Sequence, residues 1–389
     1  MRVAIIAPNC GWDLAKGGGT YIALNMAKAL SEKESEVHLL ALESLNKNAL
    51  EKVHNIDLSG NVKLHSVYTI KNNLISIPFP LGYFYLSKFL KRKLFEIKPD
   101  IVIFHDDALR STLDDVKAIG AKNMLYMHFS YKVRSKNPIF FSKVHSGGTS
   151  KILLFLKYSK RNFADIDEFD CIVANSSVTK RLTQQWYPVD IHILHPPINV
   201  QLMNQSDVIK KHQNINPLIL SHLSQQDKTF LLELLQNSVN LLLKSKIALA
   251  RWKFLITRCD KKSRLRLKGE NVIKFDFIAN PLYQKILLKS HIITHYRWFE
   301  TFGIAVLEAM ANGCIPIVYA SSLNSAWIDI IEEGKHGYGF LTDRDFLDII
   351  ENLVNNEEIR IKMAKKAILR AKSFSSEIFK QKFMKLVYK

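Results

Sequence analysis

The chain has 389 residues, 47% apolar and 23% charged, a globular composition that excludes a disordered or fibrous protein. That length exceeds one ordinary core, so two or three domains are expected. The net charge of +19 is spread out, +9 up to residue 213 and +10 beyond. It is therefore no basic tail, and it favours anionic partners: a nucleotide diphosphate, an anionic membrane surface or nucleic acid.

From the N-terminus, Val3-Ala4-Ile5-Ile6-Ala7 is short for a signal peptide and reads as a buried first strand. Gly17-Gly18-Gly19 and an amphipathic stretch at 21–31 follow. Apolar runs at 37–41, 101–105, 123–128 and 171–175 read as further strands, with a helix at 83–97. This alternation predicts a parallel sheet covered on both faces. Another strand falls near 191–197 and ends in Pro196-Pro197, and the weakly periodic stretch 199–217 is the expected linker. Alternation restarts with strands at 218–220, 253–257, 272–275, 292–294 and 315–319, and a helix closes the chain at 375–389. The uncharged stretch 309–328 is broken by Asn312, Gly313 and Pro316, which is not the pattern of a membrane span. Cys10, Cys171, Cys259 and Cys314 are widely separated, without metal-ligand spacing, and fit reduced thiols in a cytoplasmic protein.

The densest motif is Phe299-Glu300-Thr301-Phe302-Gly303-Ile304-Ala305-Val306-Leu307-Glu308-Ala309-Met310, ending at Asn312-Gly313. A helix starting near Gly303 offers unpaired N–H groups and positive dipole to a phosphate, and glycine lets the backbone come close. Glu308 then lies roughly 7–8 Å along the axis, placed to accept hydrogen bonds from a ribose. Glu300, in the loop before the helix, can reach a sugar. The same two residues also fit a loop charge and a helix-surface charge. Gly17-Gly18-Gly19 fits an anion or acceptor loop, or a plain tight turn. His128, at the carboxyl end of a strand, fits a site histidine or a satisfied structural one.

The Glu-x7-Glu segment, with Phe302-Gly303 and Glu308-Ala309-Met310, resembles the signature of retaining GT-B glycosyltransferases of the large family 4-like, group 1 type. Val173-Ala174-Asn175-Ser176 through Lys180 and His195-Pro196-Pro197-Ile198 resemble the end of that family's first domain. Gly17–Gly19 resembles its glycine-rich loop, and Met127-His128 its strand ending in a histidine near the transferred sugar. The resemblance implies two Rossmann-like domains with parallel sheets facing a central cleft. The N-terminal acceptor domain would occupy 1–198, the linker 199–217 and the nucleotide-sugar domain 218–374, with the helix 375–389 crossing back. It implies a nucleotide-diphosphate sugar as donor, of the hexose type, and a glycan or lipid-linked acceptor. Neither cofactor nor metal is implied, and the leaving phosphate would help to deprotonate the acceptor. Glu300 and His128 would act on the sugar, with Glu308 on the ribose. The amides of Gly303 and Ile304 would meet the phosphates, with Phe302 and Thr301 also binding the donor.

One departure concerns the Arg and Lys that clamp the diphosphate in this family. At the matching stretch His222 stands in place of Arg and Asp227 in place of Lys, with Lys228 one step on. A histidine is a poorer clamp than a bidentate Arg, and Arg258 and Arg297 are the candidates to supply the missing charge. Between residues 129 and 164 there are eight basic residues and no acidic one, interleaved with Phe and Leu. This suits a lipid-phosphate acceptor or an anionic bilayer, hence a cytoplasmic protein peripheral on the membrane, or equally a solvated basic face. The stretch 244–268 is a second basic cluster. No nucleic-acid module is recognisable. The alternatives are a sugar-nucleotide epimerase of the same fold and a non-catalytic basic binding protein.

Overall fold

The computed structural model describes residues 1–7, 18–41, 45–58, 60–66, 81–129, 133, 163–213, 219–222, 254–257, 272–274 and 280–388. They fall into two units, Met1–Pro197 with Ser376–Lys389, and Ile198–Ser375.

In the first unit the strands are β1 (Arg2–Ile6), β2 (Glu36–Ala41), β3 (Val62–Ser66), β4 (Ile101–His105), β5 (Lys122–Met127), β6 (Cys171–Ala174) and β7 (His192–Ile193). They form one parallel sheet in the order β3-β2-β1-β4-β5-β6-β7. Val3, Ala4 and Ile5 of the central strand are fully buried, as a run apolar on both faces must be in a sheet covered on both sides. The helices are α1 (Gly18–Ser31), α2 (Lys47–His54), α3 (Leu81–Ile97), α4 (Arg110–Ala118) and α5 (Ser177–Gln184). Side-chain oxygens start two of them: Asn46 accepts from Ala49 N at α2, and Ser176 from Thr179 N at α5.

The second unit repeats the plan with β8 (Ile219–His222), β9 (Phe254–Thr257), β10 (Val272–Lys274), β11 (Ile292–His295), β12 (Ile315–Tyr319) and β13 (Tyr338–Phe340). These are parallel in the order β10-β9-β8-β11-β12-β13. Its helices are α6 (Gln205–His212), α7 (Asn280–Lys289), α8 (Ile304–Ala311), α9 (Asp343–Asn355) and α10 (Glu357–Lys372), with a π-helical turn at Ala326–Ile330. The last helix, α11 (Ser376–Val387), belongs to the first unit. Both units are Rossmann-like. Each sheet reverses its winding direction once, between β1 and β4 and between β8 and β11. Open α/β sheets bind ligands outside the carboxyl ends of the strands at such a reversal.

Residues 199–213, weakly periodic in sequence, are built into the second unit. Val208 of α6 is fully buried there, and Met203 N donates to Ala311 O. A guanidinium completes the join. Arg360, 2% exposed, donates through Nη1 to the carbonyls of Leu353 and Val354 and through Nη2 to that of His212. It thus places positive charge at the carboxyl ends of α9 and α6, where helix dipoles favour it.

Gly339 in β13 packs under the indole of Trp327, and a Cβ there would stand 2.3 Å from Trp327 Cζ3. Gly339→Ala is therefore expected to destabilise the protein by about 3 kcal/mol, read as a lowered midpoint in urea unfolding. Gly120→Ala is the converse case, with open space around the added methyl but φ 74°, so that its cost reads left-handed backbone strain without a clash.

Candidate functional site

In the second unit the site grows from the end of β11. The strand stops at His295, the chain loops through Arg297 and Glu300, and α8 begins after Gly303. Gly303 has φ 102°, a left-handed value that favours glycine. A Cβ there would also press on Ala326 Cβ at 3.1 Å, so packing and backbone both favour glycine. No side chain caps α8. Its first amides, those of Ile304 and its successor, therefore face outward as a helix N-terminus does.

Glu300 is held on every side. Its backbone N–H donates to Leu323 O and its carbonyl accepts from Ser325 N. Asn324 Nδ2 donates to Arg297 O and Tyr319 O, which ties the loops after β11 and β12 together. The Glu300 carboxylate accepts from Arg297 Nη1 at 2.7 Å and from Phe302 N at 3.3 Å, and His295 Nε2 lies 3.3 Å away. Burial alone would raise its pKa. The Arg297 charge and the His295 contact outweigh that and hold the carboxyl well below the usual range.

Glu308 is the opposite case. It is half-buried on α8, and its carboxyl makes no hydrogen bond or ion pair with any described residue. Burial pushes its pKa up to about 7. Two carboxylates eight residues apart thus differ in charge state near neutrality, because one has a guanidinium and the other has no cation beside it among the described residues.

The other sequence candidates in this unit separate by side chain. The Phe302 ring is 3% exposed and packs on Phe374, so it offers the site its N–H, already bonded to Glu300. Thr301 is half-buried beside it. His222 ends β8 in register with His295 of β11, while its side chain, Lys228 and Arg258 lie outside the described residues.

In the first unit His128 follows β5 directly. Its Nε2 lies 3.1 Å from Nδ1 of His105, the last residue of β4. The rings are stacked at 5.4 Å, and Tyr126 packs edge-on against His128 at 5.1 Å. Asp106, at φ 63°, accepts from both His128 N and Phe129 N, which fixes the turn after β5. Gly18 and Gly19 form the first turn of α1 rather than a loop before it, and a Cβ on Gly19 would stand 3.5 Å from His128 Nε2. The structure thus brings Gly19 and His128 together. Gly17, the basic stretch 244–268 apart from β9, and nearly all of 129–164 lie outside the described residues. Sequence reasoning did not select His105, Asp106, His295 or Asn324. The available signal was positional, since His105 and His295 each end a strand at a winding reversal.

Comparison with known proteins agrees with this architecture. Residues 16–202 match Glycosyltransferase Family 4 and residues 258–370 match Glycosyl transferases group 1, together about three quarters of the chain. By fold and by both domain matches the chain belongs to the GT-B glycosyltransferases. Its fold is similar to that of sucrose-phosphate synthase from Thermosynechococcus elongatus, with a TM-score of 0.72 and 13% identity over 100% of this chain and 98% of that one. It is likewise similar to Anabaena HepE in complex with UDP-glucose, with a TM-score of 0.67 and 14% identity over 100% and 99% of the two chains. A curated relative, the GDP-Man:Man(3)GlcNAc(2)-PP-Dol alpha-1,2-mannosyltransferase of Dictyostelium discoideum, is 27% identical over 122 residues. That stretch is 31% of this chain and 24% of the relative, so the chain matches about a quarter of that protein's length.

Proposed function

We propose that the protein transfers a hexose-type sugar, with retention of configuration, from a nucleotide-diphosphate donor to a hydroxyl on a glycan or lipid-linked acceptor. The observation that carries this is the α8 end: an uncapped helix start at Gly303–Ile304, a charged Glu300 before it, and a Glu308 carboxyl with no described partner on the same helix. Phosphate oxygens take the amides of Ile304 and the residue after it, helped by helix dipole and basic side chains rather than by a metal. Glu308 accepts from the ribose hydroxyls, and Glu300 and His128 act on the sugar. The likeness to HepE bound to UDP-glucose and to a GDP-mannose-using relative supports a nucleotide-sugar donor. Among the described residues no helix is long and apolar enough to cross a membrane, and the proposed lipid-linked acceptor would be met from the bilayer surface.

The test is a thermal-shift screen against UDP- and GDP-sugars, in which a ligand of the folded state raises the melting temperature. Product analysis with and without acceptor, and with and without EDTA, follows. Transfer that survives EDTA and retains the anomeric configuration is the expected result. Epimerised donor without acceptor would identify an epimerase, and salt-dependent nucleic-acid binding without donor binding a basic binding protein.

Glu308→Gln is expected to weaken donor binding about tenfold, the scale of one charged hydrogen bond. Wild-type affinity should fall as pH drops from 8 to 6, because protonation near 7 removes the better acceptor. The Gln variant should lose that dependence. Calorimetric titration at both pH values checks both statements.

A further inference from the structure

The two histidines at the ends of β4 and β5 share one hydrogen bond, and the surroundings of His105 decide which ring donates it. His105 is 8% exposed, and its Nε2 is buried with no hydrogen-bond partner. Burial, with the neighbouring His128, keeps this ring neutral, far below the usual histidine range, so it carries one N–H. A proton on Nε2 would bury a donor with no acceptor, and orphaned buried N–H groups are rarer than orphaned acceptors. A proton on Nδ1 lies instead in the 3.1 Å contact with His128 Nε2.

We infer that His105 is a positioning residue that holds His128 as the neutral Nδ1–H tautomer, its Nε2 committed to accept from His105 Nδ1–H. To charge His128, a proton would have to enter on Nε2. That would drive the His105 proton onto its orphaned Nε2. The first turn of α1 acts in the same direction. Gly19 sits against the His128 ring, with Nε2 at 3.5 Å and Cδ2 at 3.8 Å from where a Cβ would be. The positive end of the helix dipole there disfavours an imidazolium. Two other titratable groups face the pair among the described residues. Tyr126 donates its phenol to Leu194 O and stays neutral. Asp106 favours charge on His128, but its Oδ1 is already engaged by two backbone amides.

The functional consequence rests on the proposed sugar-transfer reading. The anomeric carbon gains positive charge as its bond to phosphate breaks, and a neutral donor beside it avoids the repulsion an imidazolium would add.

Long-range proton–nitrogen spectra of the full chain with 15N-labelled histidine test the inference, with His128 assigned by the signals lost in His128→Gln. The expected result is an Nδ1–H pattern at pH 7.5 and titration below the usual histidine value near 6.5. His105→Phe should move that titration up towards 6.5 and mix the tautomers. His105→Gln, whose amide N–H can donate to the same nitrogen, should restore the wild-type pattern. An Nε2–H pattern in the wild type, titration at 6.5, or no change in His105→Phe would overturn it. The spectra need no donor, so failure of the transferase reading would appear separately, as absence of nucleotide-sugar binding.

Discussion

Arg297→Ala is expected to destabilise the second unit by about 3 kcal/mol, the lower end of what breaking a buried ion pair costs. The reason is the 10% exposure of the Glu300 side chain. Without Arg297 a carboxylate remains inside with His295 and the Phe302 amide as its polar neighbours. Its pKa should climb, so the variant should recover stability as pH is lowered from 8 to 6, unlike the wild type. Arg297→Ala combined with Glu300→Gln should recover much of the loss, since no buried charge is then stranded. Urea unfolding of the four proteins reads the coupling. A double variant no more stable than Arg297→Ala would show that Arg297 acts by packing. Glu300→Gln alone keeps the shape of the loop and removes its charge. On the proposed reaction it should lower turnover about a hundredfold, with donor affinity changed far less.

Acid should destabilise the protein well before its carboxylates are titrated. Burial holds His65 at about 4, His291 at about 4 and His212 at about 3. Each folded value lies below the unfolded one near 6.5, so the unfolded chain takes up protons first. Stability is complete above pH 6.5 and is lost as pH falls towards 4, by about 2 kcal/mol at pH 5 for each of the buried His291 and His212 and by less for the half-buried, partly screened His65. Glu308 has the opposite sign. Its raised pKa makes the folded state the better proton binder, which returns about 2 kcal/mol over the same range. These four groups give a net loss of about 3 kcal/mol, divided between the units, and His105 and His38, also held below the usual histidine range by burial, add to it. Comparing urea midpoints at pH 7.5 and 5.0 checks it. Glu308→Gln should make the loss steeper, because it deletes the one compensating group of these four.

Much of this architecture is written locally. Past the exposed Arg2, the strand Arg2–Ile6 is an unbroken apolar run, as is Ile315–Tyr319, because burial on both faces leaves no room for polar residues. The edge strand Val62–Ser66 escaped sequence reading for the same reason inverted: none of its residues is fully buried, and Lys63 and His65 make it look like loop. Tyr338–Phe340 is three residues long with a glycine in the middle, which reads as a turn until Trp327 is seen to require that gap. The candidate site divides similarly. Glu300, Gly303 and Glu308 lie on one short stretch whose spacing alone places them at a helix start. His105 and His128 meet through strand pairing, with His105 level with Tyr126, and Asn324 reaches Arg297 from the loop after another strand. Such meetings depend on register, which no local pattern encodes.

The last helix has a bearing on how the molecule is made. Phe379 and Phe383 of α11 are buried in the first unit, and Lys380 pairs with Glu32 at the end of α1. On a ribosome the first sheet is synthesised early, yet the helix that covers its apolar surface emerges only after all of Ile198–Ser375. The early unit must therefore wait with exposed hydrophobic surface while the later one is built, a vulnerable interval during which a chaperone would have something to hold.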